Sequence, residues 1–129
     1  MATVPLGAVT NVYLIWYTPS GSGWSPTDKS IIRNFLNNLG GSPWWGIMGS
    51  YMDALGSYIS AGAKSVAVMG EATVAGRSIN MTDNDVWLQV SDAVTSNTFP
   101  SDANAVYFVL TDSSVNQGAS GSFNGFCGQ

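Results

Sequence analysis

The chemistry open to this chain is bounded first by what its 129 residues lack. There is no histidine, which excludes Ser-His-Asp and Cys-His catalysis and every imidazole zinc ligand within the sequence. The one cysteine, Cys127, has no second thiol to pair with, and no basic residue between positions 87 and 126 would lower its pKa. The acids Asp28, Asp53, Glu71, Asp83, Asp85, Asp92, Asp102 and Asp112 are scattered singly, apart from Asp83 and Asp85. A glycosidase needs two carboxylates facing each other across a cleft, and the spacing indicates no such pair. Asp83-Asn84-Asp85 lacks the further oxygen ligands a cation needs, and a helix first turn explains it. Gly40-Gly41 has neither the lysine nor the glycine spacing of a phosphate loop. The expectation is a chain that is not an enzyme and holds no cofactor or metal.

Binding chemistry is better represented. Trp24 stands in the Gly, Ser and Pro loop that follows the first core strand, where α/β folds place their sites. It is a candidate ligand platform, the alternative being a lid over the next helix. Trp44 and Trp45 are adjacent and cannot share one helical face, so one packs inside and the other lies near the surface, where it can stack on a sugar. Glu71, the only glutamate, follows an extended run directly and is a candidate ligand or base at a strand end. Asn80-Met81-Thr82 fits the glycosylation acceptor pattern, although Thr82 also reads as a helix cap.

Charge narrows the partners. Only 9% of residues are charged, against about 25% in ordinary domains, and the net charge is −4. Such a chain neutralises no phosphates, so nucleic acid is not an expected partner. No apolar run approaches the ~20 residues of a membrane-spanning helix. Residues 1–9 lack the basic and apolar regions of a signal peptide, so a secreted form would take its signal from outside this sequence. A surface rich in Gly, Ser, Thr and Asn tolerates close contact with sugars or with copies of itself, because few charges need desolvating.

These residues are positioned by a simple succession of elements. At 11–17 the run Asn-Val-Tyr-Leu-Ile-Trp-Tyr does not alternate, which predicts a strand covered on both faces. Ala-Val-Tyr-Phe-Val-Leu at 105–110 is its counterpart, and Val66, Val68 and Met69 mark a third strand near 64–70. Residues 49–54 also read as extended. Ser25-Pro26-Thr27-Asp28 starts a helix whose Ile31, Ile32, Phe35, Leu36 and Leu39 form one buried stripe, with Gly40 as left-handed terminator. The other face of that helix, Lys29, Arg33, Asn34, Asn37 and Asn38, reads as simply solvated. Ser42-Pro43 starts a short helix or turn. Thr82-Asp83-Asn84-Asp85 starts a longer one, with Val86, Val90, Ala93 and Val94 inward and Trp87 flanking. The predicted fold class is α/β, a layered sandwich with a central mostly parallel or mixed sheet and helices near 26–39 and 83–96. It forms a single domain over 1–129, with an extended arm at 1–10 and a Ser/Gly-rich tail at 111–129.

Several segments occur in an order that resembles a known family. Val12-Tyr13-Leu14-Ile15-Trp16-Tyr17, Trp24-Ser25-Pro26, the run from Ile31 to Leu39, Ser42-Pro43-Trp44-Trp45, Val106-Tyr107-Phe108-Val109-Leu110-Thr111 and Gly125-Phe126-Cys127 are similar to the phosphate-induced protein 1 family, which includes the plant EXORDIUM proteins. The resemblance spans about 9–128 and is loosest through 46–62. It implies a secreted protein of the cell wall or extracellular matrix, associated in plants with growth control. It also implies that longer relatives continue into a second half with a further cysteine, histidines and a His-Glu helix like that of zinc peptidases. Those residues have no counterpart here, and Cys127 matches a family cysteine whose partner is missing.

Three readings follow. The first is a non-catalytic extracellular protein that binds polysaccharide through Trp24 or Trp44. The second is a structural subunit that assembles into a filament or other homopolymer, with the arm at 2–9 adding as a strand to a neighbour's sheet edge. The third is the front half of a zinc-peptidase-like enzyme.

Overall fold

The computed structural model describes residues 9–19, 23–52, 56–75 and 77–117. Most of the predicted arm and tail, Cys127 included, lies outside them. The nine residues Thr10–Thr18 form β1, and every side chain from Val12 to Thr18 is buried. That double burial follows from position. β1 is the middle strand of a three-stranded sheet, between β2 (Val66–Ala75) and β4 (Ala105–Thr111). The three strands are parallel and helices pack on them, the α/β architecture predicted. β2 is longer than its apolar core implied, and Glu71 lies within it, not beyond its end. The sequence pattern stopped short because β2 is an edge strand, whose second half alternates half-buried and exposed residues.

The strands thread two compact units. Their first halves lie in a unit of Met1–Tyr13, Pro26–Gly70 and Ser101–Tyr107, their second halves in a unit of Leu14–Ser25, Glu71–Pro100 and Phe108–Gln129.

In the first unit, Asp102 gathers the strand beginnings. Its carboxylate accepts from Asn11 Nδ2 at 2.7 Å and from the Asn104 amide at 2.8 Å, while its own amide donates to the Tyr107 hydroxyl at 3.2 Å. Those donors, Asn11 foremost, hold the Asp102 carboxyl below the usual carboxylate range. Tyr13 stacks on Tyr107 with ring centres 5.2 Å apart. Burial, reinforced by the nearby Asp102 charge, pushes its phenol above the ordinary value.

Helix α1 (Pro26–Asn37) departs from the predicted stripe. At about 100° per residue, Ile31, Phe35, Leu39, Ile32 and Leu36 spread in that order over roughly 140° of the helix, too wide for one contact. The unit buries only one side of the arc. Leu36 is buried and Ile32 half-buried, while Ile31 and Phe35 are 62% and 63% exposed. Asn37, expected to be merely solvated, has a structural task. Its Oδ1 accepts from the backbone N–H of Val68 at 2.9 Å, capping an unpaired group on the edge of β2.

The chain then turns at two glycines. Gly41, and not Gly40, takes the left-handed conformation (φ +81°). Gly40 is required for another reason, since a Cβ there would come within 2.8–2.9 Å of the Ser65 and Val66 backbone nitrogens. Ser42 caps α2 (Pro43–Gly46), accepting from the Trp45 amide at 3.1 Å. A 3-10 turn, Ile47–Ser50, follows and takes the first two residues of the run predicted as extended at 49–54, through local i→i+3 bonding; Tyr51 is extended, Met52 forms an isolated bridge with Tyr58, and 53–54 lie outside the described residues.

In the second unit, α3 (Asp83–Thr95) starts with the predicted cap, here a full capping box. Thr82 N–H donates to Asp85 Oδ2 at 2.7 Å and Asp85 N–H donates to Thr82 Oγ1 at 3.3 Å. Tyr17, Met81 and Val115 form a buried cluster against Val74, Val86 and Val109, and the Tyr17 hydroxyl donates to the Ser78 carbonyl at 2.6 Å. Two further short strands were not foreseen, β3 (Asn80–Met81) and β5 (Asn116–Gln117), which pair in parallel. With two residues each, they carry no periodic signal.

The edge cap gives a direct test. Asn37→Ala strips the Val68 N–H of its acceptor and is expected to lower stability by about 1 kcal/mol in urea unfolding. Asn37→Asp keeps an acceptor and stays close to wild type.

Candidate functional site

The C-terminal halves of the three strands lie in the second unit, and two of the sequence-predicted binding residues, Trp24 and Glu71, each contact Trp16 there. Trp16, 1% exposed, donates its indole N–H to Glu71 Oε1 at 2.9 Å. Trp24 meets Trp16 edge to face, ring centres 5.1 Å apart, and donates its own indole N–H to the Leu110 carbonyl at 3.3 Å. Trp16 joins Trp24 to Glu71, and sequence reasoning placed it only in the core; no sequence signal distinguishes it from the other large residues of β1. Beside this trio, Asp112 is buried. Its Oδ1 accepts from the Ser114 amide at 2.8 Å and from the Ser114 hydroxyl. These bonds from Ser114 outweigh burial and hold the carboxyl below its ordinary range. Asp112 Oδ2 has no hydrogen-bond partner among the described residues and packs against Gly23, where a Cβ would come within 2.1 Å of it. The Gly23 amide in turn donates to Thr18 Oγ1 at 3.0 Å. The contacts engage these side chains with one another and lock the strand ends to the segment that follows β1. Trp24 is half-buried by them.

The first unit holds a more open arrangement. Trp45 is half-buried, its indole N–H donating to the Ser60 carbonyl at 3.1 Å. Trp44 is 59% exposed, its ring tilted 38° from that of Trp45. Phe35, Asn38, Leu39, Ser42 and Trp44 line a shallow cavity of about 480 Å³. Phe35 reaches it because α1 turns that side of its apolar arc outward. Asn38 Nδ2 donates to the Asn34 carbonyl at 2.7 Å, leaving Oδ1 as an acceptor at the rim. The Ser42 oxygen receives the Trp45 amide, leaving its O–H to donate. The result is an aromatic floor with one acceptor and one donor beside it. Sequence reasoning found Trp44 but missed Phe35 and Asn38; the readable signal was the 140° width of the α1 arc.

Asn80 is exposed in β3, with the hydroxyl of Thr82 engaged by Asp85. Cys127 lies outside the described residues. Among the described residues no three His, Cys, Asp or Glu side chains gather as a metal ion would require, and no helix is long and apolar enough to cross a membrane.

Comparison with known proteins supports the resemblance read from the sequence. The chain is 32% identical to Protein EXORDIUM-like 5 of Arabidopsis thaliana over 126 residues, covering 89% of this chain and 33% of that protein. The chain thus spans about a third of the length of the curated relative it matches. No family model matches the sequence, and no solved structure matches it.

Three outcomes are expected, two at the strand ends and one, a control, in α2. Gly23→Ala drives a methyl into Asp112 and lowers the thermal midpoint, by about 1–3 kcal/mol of stability. Gly46→Ala, with nothing within 4 Å of its Cβ, does not destabilise. The Asp112 carboxyl is held low in the fold, so its contribution is complete above the unfolded value near 3.8 and fades as pH falls through the lower folded value. Ser114→Ala removes the hydroxyl donor, the larger of the two lowering contacts, and keeps the amide, so acid unfolding followed by circular dichroism shifts part of the way to higher pH.

Proposed function

We propose that this chain is an EXORDIUM-like, non-catalytic domain of an extracellular protein and acts by binding polysaccharide. The observation that carries the reading is the cavity at Trp44. An exposed indole and an exposed phenyl offer electron-rich faces to the axial C–H groups of a pyranose ring. Asn38 Oδ1 and the Ser42 hydroxyl stand ready for ring hydroxyls, and no charge needs to be desolvated to seat the sugar. The likeness to EXORDIUM-like 5 supports placement in that family. Trp24 is the weaker platform, since its ring and N–H are already engaged.

Self-assembly is the second reading, favoured by Ile31, which extends the exposed apolar side of α1 alongside Phe35. Strand addition is a poor route to it along β2, because Asn37 occupies the edge at Val68.

Affinity electrophoresis in gels containing soluble wall polysaccharides tests the proposal. Retardation by at least one neutral glycan is expected, and Trp44→Ala weakens it by about tenfold while Trp24→Ala changes it less. Binding that survives Trp44→Ala unchanged would sink the assignment. Growth of particle size with concentration, abolished by Ile31→Ser, would move the function to assembly.

A further inference from the structure

A second cavity, of about 500 Å³, lies in the other unit between β2 and α3. Its walls differ from those at Trp44. Arg77, Gln89 and Asp92 line it, with the hydroxyl residues Thr73, Ser96 and Thr98. Gln89 is the telling residue. It sits on the inward side of α3, is 8% exposed, and lines the cavity. An amide placed there can both donate to and accept from a group bound in the cavity. Sequence reasoning assigned the inward stripe of α3 to valines and alanine only and did not foresee this amide.

Arg77 and Asp92 face each other loosely. Their closest atoms are 3.9 Å apart and both side chains are more than half exposed, far from a bidentate ion pair. The guanidinium therefore keeps most of its fork of donors for another acceptor. The cavity thus combines a planar cation suited to a carboxylate, a carboxylate able to accept from hydroxyls, and an amide able to do both. Ala72, Val74 and Ala93 supply apolar wall. We propose that this cavity binds a carboxylate-bearing polyol, a hexuronate, with the sugar carboxylate on Arg77 and ring hydroxyls on Asp92 and Gln89. The volume suits a small ligand. The site is independent of the one at Trp44 and involves none of its residues.

The test is a titration of the ¹⁵N-labelled full chain with galacturonate, trigalacturonate, galactose and acetate, followed by amide chemical shifts. Galacturonate is expected to move the resonances of Arg77, Gln89 and their neighbours, and to bind at least about tenfold more tightly than galactose or acetate. A tighter trimer identifies a residue within a polymer as the natural occupant; equal affinities identify the free sugar. Arg77→Gln abolishes the preference over galactose, Gln89→Leu weakens galacturonate, and Trp44→Ala leaves both unchanged. Equal binding of galactose overturns the role of the carboxylate, and equal binding of acetate overturns that of the hydroxyls. Absence of any shift at these residues, or binding unaltered by Arg77→Gln, overturns the site. Arg77 is a surface residue, so that variant decides the matter even if Gln89→Leu fails to fold.

Discussion

Burial of β1 on both faces is the constraint from which the rest follows. Trp16, Leu14, Ile15 and Val12 are almost wholly removed from water, each large side chain contributing about 1.5–3 kcal/mol. A strand buried in that way needs a neighbour on each side and cover above and below, which makes β1 the centre of the β2-β1-β4 sheet. Parallel pairing then forces long crossovers, and the helices are those crossovers. The strand beginnings are tied at Asp102 in one unit, and the strand ends at Asp112 in the other.

The two ends of the sheet use carboxylates alike but for different neighbours. Asp102 accepts from Asn11 and Asn104 beside a stacked tyrosine pair. Asp112 accepts from Ser114 under a glycine whose added Cβ would collide with the carboxylate. In both cases hydrogen-bond donors, not cations, stabilise the charge. In both places a carboxylate is accommodated without drawing on the chain's four basic residues. It also leaves Arg77 loosely held in a cavity, where a cation is otherwise scarce.

Open aromatic surface sits away from the sheet ends. Trp44 is open because its neighbour Trp45 took the inward position and its hydrogen bond to Ser60. Phe35 is open because α1 has a wider apolar arc than its unit can cover. Both are cases of local surplus: more apolar surface than one face can bury. Trp24, by contrast, is drawn onto Trp16 and Leu110.

Much of this was legible in the residues. The non-alternating run of β1, the period of α1 and the Thr82–Asp85 box determined the α/β class, because strand burial, helix period and capping are local patterns. The adjacency of Trp44 and Trp45 determined that only one could turn inward. Tertiary structure alone decided which side of the α1 arc is covered, that Asn37 caps the β2 edge, that Glu71 lies within a strand, and that Gln89 faces a cavity with Arg77. Those outcomes depend on which elements end up beside one another, and pairs such as Asn37 with Val68, or Trp16 with Glu71, lie 31 and 55 residues apart in the chain. Periodicity reports the face a residue occupies. What stands opposite that face is settled only when the chain is packed.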